Sequence, residues 1–126
     1  MPEHVPDVRI SVVTRFLPEQ SEPERQRYVF AYQITIANHG EESVHLLNRH
    51  WIIKDAREQT QEVRGEGVVG QQPLIAPGDH FEYTSGTMIE TPIGIMQGSY
   101  EMRTASGMTF EAEIPPFTLS VPGSLH

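Results

Sequence analysis

The chain has 126 residues, enough for one domain and short of the two halves that a full dinucleotide-binding fold requires. A formal net charge of −8, from 17 acidic and 9 basic residues, opposes the counterion release that draws proteins onto nucleic acid, so no nucleic-acid partner is expected. Cysteine is absent, which removes disulfides, thiolate catalysis and thiolate metal sites. The start MPEHVPDVRIS lacks the basic and apolar segments of a secretory signal, and no apolar run approaches the ~18 residues of a membrane span. A single soluble, cytoplasmic domain over residues 1–126, without membrane insertion, is therefore expected.

In chain order, VRISVVTRFL reads as a strand by its β-branched content, and PEQSEPERQ as a charged, proline-bearing loop. In RYVFAYQITIAN the residues Tyr28, Phe30, Tyr32, Ile34 and Ile36 share one face, while Val29, Ala31, Gln33, Thr35 and Ala37 take the other. That alternation is a half-buried strand. After NHGEES, the segment SVHLLNRHWIIKDA makes a third strand with the one tryptophan, and its adjacent Leu46 and Leu47 indicate a bulge. A short polar strand near TQEVR leads into GEGVVG and then QQPLIAPGD, a connection holding Pro73 and Pro77. HFEYTSGTMIE, IMQGSYEMRT and MTFEAEIPPFTLSV complete seven strands. Pro115 and Pro116 interrupt the last, and the apolar parity changes across them, so that strand belongs at an edge with a kink or change of partner.

This pattern predicts an all-β, seven-stranded antiparallel sandwich of the immunoglobulin or fibronectin type III kind, with an open barrel as the competing architecture. Trp51 is the expected core pin. Tyr100, which follows Gly98, is either a corner residue whose hydroxyl returns to backbone or a plain core tyrosine.

GEGVVG has the G-x-G-x-x-G spacing of a phosphate cradle, but such a cradle follows a buried strand and opens a helix. TQEVR is too polar for that strand, two prolines stand where the helix would run, and Glu66 has the wrong sign for a phosphate neighbour. The segment is better read as a tight β connection in which Gly65, Gly67 and Gly70 take positive φ while Val68 and Val69 pack. A weaker version keeps successive amides as an anion nest with Arg64 as counter-charge. The candidate ligand-binding residues are thus Arg64, Gly65, Glu66, Gly67, Val68, Val69 and Gly70.

The six histidines, His4, His39, His45, His50, His80 and His126, form no H-x-H or H-E-x-x-H spacing. His45 and His50 face opposite ways on a regular strand and share a face only if a bulge intervenes. Asp55, Glu66, Asp79 and Glu90 are available to magnesium without converging in sequence, so no metal site and no cofactor are expected. There is no G-x-S-x-G elbow, and the acidic pairs Glu22/Glu24 and Glu41/Glu42 lie in polar loops, so no catalytic residue is assigned. The arginines 25, 27, 49, 57 and 64 read as charge scattered over a solvated surface.

LLNRHWIIKDA, EVRGEGVVGQQPLIAPG, FEYTSG, TPIGIMQGSYEM and IPPFTLSVPGSLH together resemble the ApaG family over nearly the whole chain. Where that family has a glycine-bearing turn between the third and fourth strands, this chain has Ala56, Arg57 and Glu58. The resemblance implies a fibronectin type III or immunoglobulin-like sandwich. It also implies a link to cobalt and magnesium tolerance, gene neighbourhood with a diadenosine tetraphosphate hydrolase, and kinship with interaction modules of eukaryotic F-box and polymerase-associated proteins. It brings no catalytic residue. The expected function is a non-enzymatic binding domain that engages a protein partner, not identified by sequence, through a sheet edge or through GEGVVGQQP and TPIGIM. Edge pairing would also join two copies into a homodimer. The alternative is a pyrophosphate or dinucleoside-polyphosphate binder using the glycine segment.

Overall fold

The computed structural model describes residues 5–124. Eight strands form it: β1 (Val8–Phe16), β2 (Tyr28–Asn38), β3 (Val44–Asp55), β4 (Thr60–Glu66), β5 (Leu74–Ile75), β6 (His80–Ile89), β7 (Ile93–Thr104) and β8 (Thr109–Ser120). All seven expected strands are present. The eighth, β5, is a two-residue pairing of Leu74 and Ile75 with His45 and Val44, flanked by the prolines that mark the segment as loop.

The strands make two antiparallel sheets, one ordered β1-β2-β6 and the other β4-β3-β7-β8 with β5 beside β3. This is the immunoglobulin-like sandwich. Its core follows from strand alternation: Phe30, Tyr32, Ile34 and Ile36 of β2 are buried on one face. Opposite them lie Trp51 and Ile53 of β3, Met96, Tyr100 and Met102 of β7, and Ile114 and Leu119 of β8. Trp51 joins the sheets edge-on to Tyr32, Tyr100 and Phe117, with ring centroids 5.4, 6.2 and 5.9 Å away. Tyr100 lies inside β7, and its hydroxyl meets the hydroxyl of Tyr83, so it is a core tyrosine and no corner residue.

Two irregularities adjust the sheets. The β3–β7 register shifts between Leu46 and Asn48, leaving Leu47 as the extra residue of a bulge. Val44 and Leu46 point inward before it, and Trp51 and Ile53 after it. The β7–β8 register shifts where Met96 and Gly98 face Phe117 and Ile114, across Pro115 and Pro116 on the edge strand β8. Buried Asn38 fixes the β5 end by donating to the Glu42 and Ile75 carbonyls at 2.8 and 2.9 Å. In the β3–β4 turn, Asp55 accepts from the Arg57 and Gln59 amides, each at 2.9 Å, and Glu58 takes a φ of 65° where a glycine would serve. Among the described residues no helix is long and apolar enough to cross a membrane.

Candidate functional site

The glycine segment is divided in two. Arg64, Gly65 and Glu66 finish β4, paired with His50, Arg49 and Asn48 of β3. Gly65 is ordinary strand and its expected positive φ is absent; what it provides is room, since a Cβ there would stand 2.8 Å from the Arg49 guanidinium. Gly67 does take positive φ, at 61°, and a Cβ on it would run into the Gln71 carbonyl. Val69 and Gly70 follow at φ 42° and 79°, enclosed by reciprocal bonds between Val68 and Gln71 of 2.8 and 2.9 Å. That is a two-residue turn with both central φ positive, for which Asn-Gly is the favoured sequence. Val68 is buried in the core, whereas Val69 is 53% exposed and does not pack as expected. A β-branched residue in this region is strained.

The Gly67, Val68 and Gln71 amides around the turn are committed. Gly67 donates to the Leu47 carbonyl at 2.9 Å and Val68 to Gln71, while Arg49 Nη1 donates to the Glu66 and Gly67 carbonyls at 2.9 and 3.0 Å. No helix follows.

Each half of the segment borders a different recess. The first half, together with Asn48, Arg49 and His50 of β3, edges an open cleft of about 430 Å³ on the outer face of the larger sheet, opposite Ser99, Glu101 and Glu111. Along it Asn48 donates to Glu101 at 2.5 Å, and at its border Glu62 lies 3.1 Å from His50 Nε2 and 3.7 Å from Arg64 Nε. The His50 hydrogen bond, followed by the Arg64 charge, holds the exposed Glu62 carboxyl below the ordinary range.

The second half walls a smaller recess of about 190 Å³ between the sheets. Val68, Val69 and Gly70 line one side, with Tyr32, Trp51, Tyr83, Ser85 and Arg49 on the other. Burial pushes Tyr32 above the ordinary phenol range, against a hydrogen bond to Ser85 and the charge of Arg49. Burial likewise pushes Tyr83 and, further, Tyr100 up, and Arg49 opposes both shifts. Arg49 itself is half-buried and forms no ion pair among the described residues. Its expected place among charges on a solvated surface does not hold. The signal that finds it is the bulge, which puts Arg49 on the inward parity of Trp51 and Ile53.

The other candidates disperse. The Leu47 bulge does bring His45 and His50 onto one face, but His45 bonds the Gln72 carbonyl at 3.0 Å and His50 bonds Glu62. Among the described residues no group of three or more His, Asp and Glu is placed to hold a metal ion. His4 and His126 lie outside the described residues. Glu22 approaches Arg25 and Arg27, Glu42 accepts from Ser106, and the recess that Glu41 and Glu42 border together is about 10 Å³, too small for a substrate. TPIGIM turns mostly inward: Thr91, Gly94 and Met96 are buried, and only Pro92 and Ile95 stand exposed in it.

Residues 18–104 match the model of the ApaG domain. The chain belongs to the ApaG domain family. Its ApaG relatives include Protein ApaG of Pseudomonas paraeruginosa and of Pseudomonas syringae pv. tomato, each 59% identical over 119 residues and 94% of both chains. Protein ApaG of Thiobacillus denitrificans is 56% identical over the same share. A crystal structure of a Bordetella pertussis protein described as ApaA superposes with a TM-score of 0.92 at 50% identity, covering 98% of this chain and 100% of that one. The ApaG fold is thus shared at the level of the whole sandwich.

Proposed function

We propose that this ApaG domain is a non-enzymatic, cytoplasmic binding module that engages a protein partner by adding a strand to the edge of β6. The observation that carries this reading is the contrast among the four sheet edges. β8 is interrupted by Pro115 and Pro116, β4 bears Glu62, Arg64 and Glu66, and β1 bears Arg9 and Arg15. Over its ten residues β6 holds neither proline nor lysine, and Glu82 is its single acid. Charges and prolines are the usual guards of an edge, and this edge is the least guarded of the four. A partner strand supplies main-chain hydrogen bonds there, and the neighbouring turn supplies selectivity. The same edge would join two copies of the chain into a homodimer. The family's link to cobalt and magnesium tolerance then runs through the partner and needs no metal site in this domain.

Strand addition is preferred to pyrophosphate binding by the glycine segment because Glu62 partners Arg64 and the Gly67 and Val68 amides donate within the protein. The test is to recover the partner from lysate and follow amide hydrogen exchange in the complex. Slowed exchange along β6 is the expected result. Slowing confined to β1, β4 or β8 would refute the assignment.

A further inference from the structure

We infer that the recess between the sheets is a receptor for a free carboxylate, the C-terminus of a peptide lying along β6. This deepens the proposed function and rests on its reading of the β6 edge.

Three features of the structure converge. First, Arg49 is a half-buried guanidinium whose bonds go to the Glu66 and Gly67 carbonyls, with no ion pair among the described residues. A cation in a partly dry pocket without its own carboxylate attracts one, and the planar fork of arginine matches that shape. The Tyr32 phenol and the Ser85 hydroxyl, hydrogen-bonded to each other, flank it and together leave one hydroxyl proton for a ligand. Second, the recess is small and partly apolar. At about 190 Å³ it falls below the roughly 300 Å³ at which pockets begin to take drug-sized ligands, so a nucleotide does not fit. Trp51, Val68 and Val69 make walls suited to a carboxylate carrying a compact apolar side chain, and one guanidinium is too little charge for a polyphosphate.

Third, the edge of β6 ends at the recess. Gln61 of β4 donates to the Met88 carbonyl at 3.3 Å, closing the far part of that edge. The open stretch therefore runs from Phe81 to Ser85, where Tyr83 and Ser85 already line the recess. A strand laid along it has its end at Arg49. The charge there selects a carboxylate terminus over an ammonium one, and the strained Val69 turn is the wall that closes beside it.

The experiment pans the full chain against random heptapeptides displayed in two ways, with free C-termini and within a loop. Enriched peptides are then synthesised as free acids and as amides. The free-terminus display should enrich, and each acid should bind at least tenfold more tightly than its amide. Binding of the acid should shift the emission of Trp51 and the amide resonances of Val68 to Gly70 and of β6. Arg49→Gln should abolish the preference for the acid while Arg49→Lys retains part of it, and the acid-to-amide comparison on the unaltered chain decides the matter should either variant misfold. Equal binding of acid and amide along β6 overturns the carboxylate site and leaves the edge reading standing. Peptides that map away from β6, or no enrichment from either display, overturn both. Inorganic pyrophosphate moving the Val68 to Gly70 resonances at concentrations where no peptide acid does so makes the recess a phosphate site, and the inference falls.

Discussion

The two recesses that flank the glycine segment are built from similar residues and behave oppositely. On the outer face a carboxylate is met from two sides: the His50 ring and the Arg64 guanidinium both approach Glu62. Arg49, which borders both recesses, bonds backbone carbonyls and faces phenols, a hydroxyl and an indole between the sheets, with no carboxylate partner among the described residues. Exposed ion pairs of the first kind contribute little to stability, and water already screens them. A guanidinium satisfied by carbonyls keeps its net charge while losing much of its hydration, and that charge remains available to something outside the fold. The distinction between the recesses is thus one of spent and unspent charge.

Alkaline unfolding should separate them most strongly. Tyr32, Tyr83 and Tyr100 all have phenols raised above the ordinary range in the folded chain, so their protonated forms stabilise it fully below the unfolded tyrosine value of about 10. As pH rises past that value the unfolded chain releases protons that the folded one keeps, and stability falls by up to about 1.4 kcal/mol per pH unit for each buried phenol. Denaturant titrations across this range should show the fall, and Tyr83→Phe should flatten it; a slope unchanged by that substitution contradicts the assignment.

Gly67→Ala comes next. Positive φ and a collision with the Gln71 carbonyl should cost about 3 kcal/mol in urea unfolding. Gly65→Ala, which displaces only the flexible Arg49 head, should cost clearly less. Equal losses at the two glycines would erase the division of the segment. Arg49→Met leaves the Glu66 and Gly67 carbonyls without their donor and should cost about 2 kcal/mol by the same measurement. Val69→Asn should act in the other direction. Asparagine is at ease where valine is strained, and a gain of about 1 kcal/mol is expected. Smallest is Glu62→Gln. The Glu62 carboxyl is held low in the folded chain, so its contribution is present above the unfolded glutamate value of about 4.3 and is lost as pH falls through the lower folded one. The variant should slightly flatten the acid limb of stability and leave the alkaline limb alone.

Much of the fold was legible because alternation is a local property. Phe30, Tyr32, Ile34 and Ile36 declare their face within one strand, Leu46 and Leu47 mark the bulge, and Pro115 and Pro116 mark the edge. The strand β5 was hidden, because two residues between prolines carry no period; their pairing depends on Asn38 holding the Ile75 carbonyl from another strand. The site was legible only in outline. The spacing of Gly67 and Gly70 announced special backbone, but Gly65 serves a side chain that approaches from β3, and no local pattern encodes such an approach. Val69 was misread because valine normally avoids the conformation it holds here. Arg49 was missed because its inward direction exists only after the bulge is counted.

Leu47 sets the phase of a whole strand. With that one residue deleted, β3 would keep its sequence but reverse the facing of everything beyond the gap: Trp51 and Arg49 would turn to water and His50 would take the core position. The inter-sheet recess would lose its indole floor and its charge together, while the outer face would exchange His50 for Arg49. One inserted residue therefore acts as a clutch between the two ends of β3, letting the Val44 end stay engaged with β5 while the Trp51 end is turned to furnish the recess.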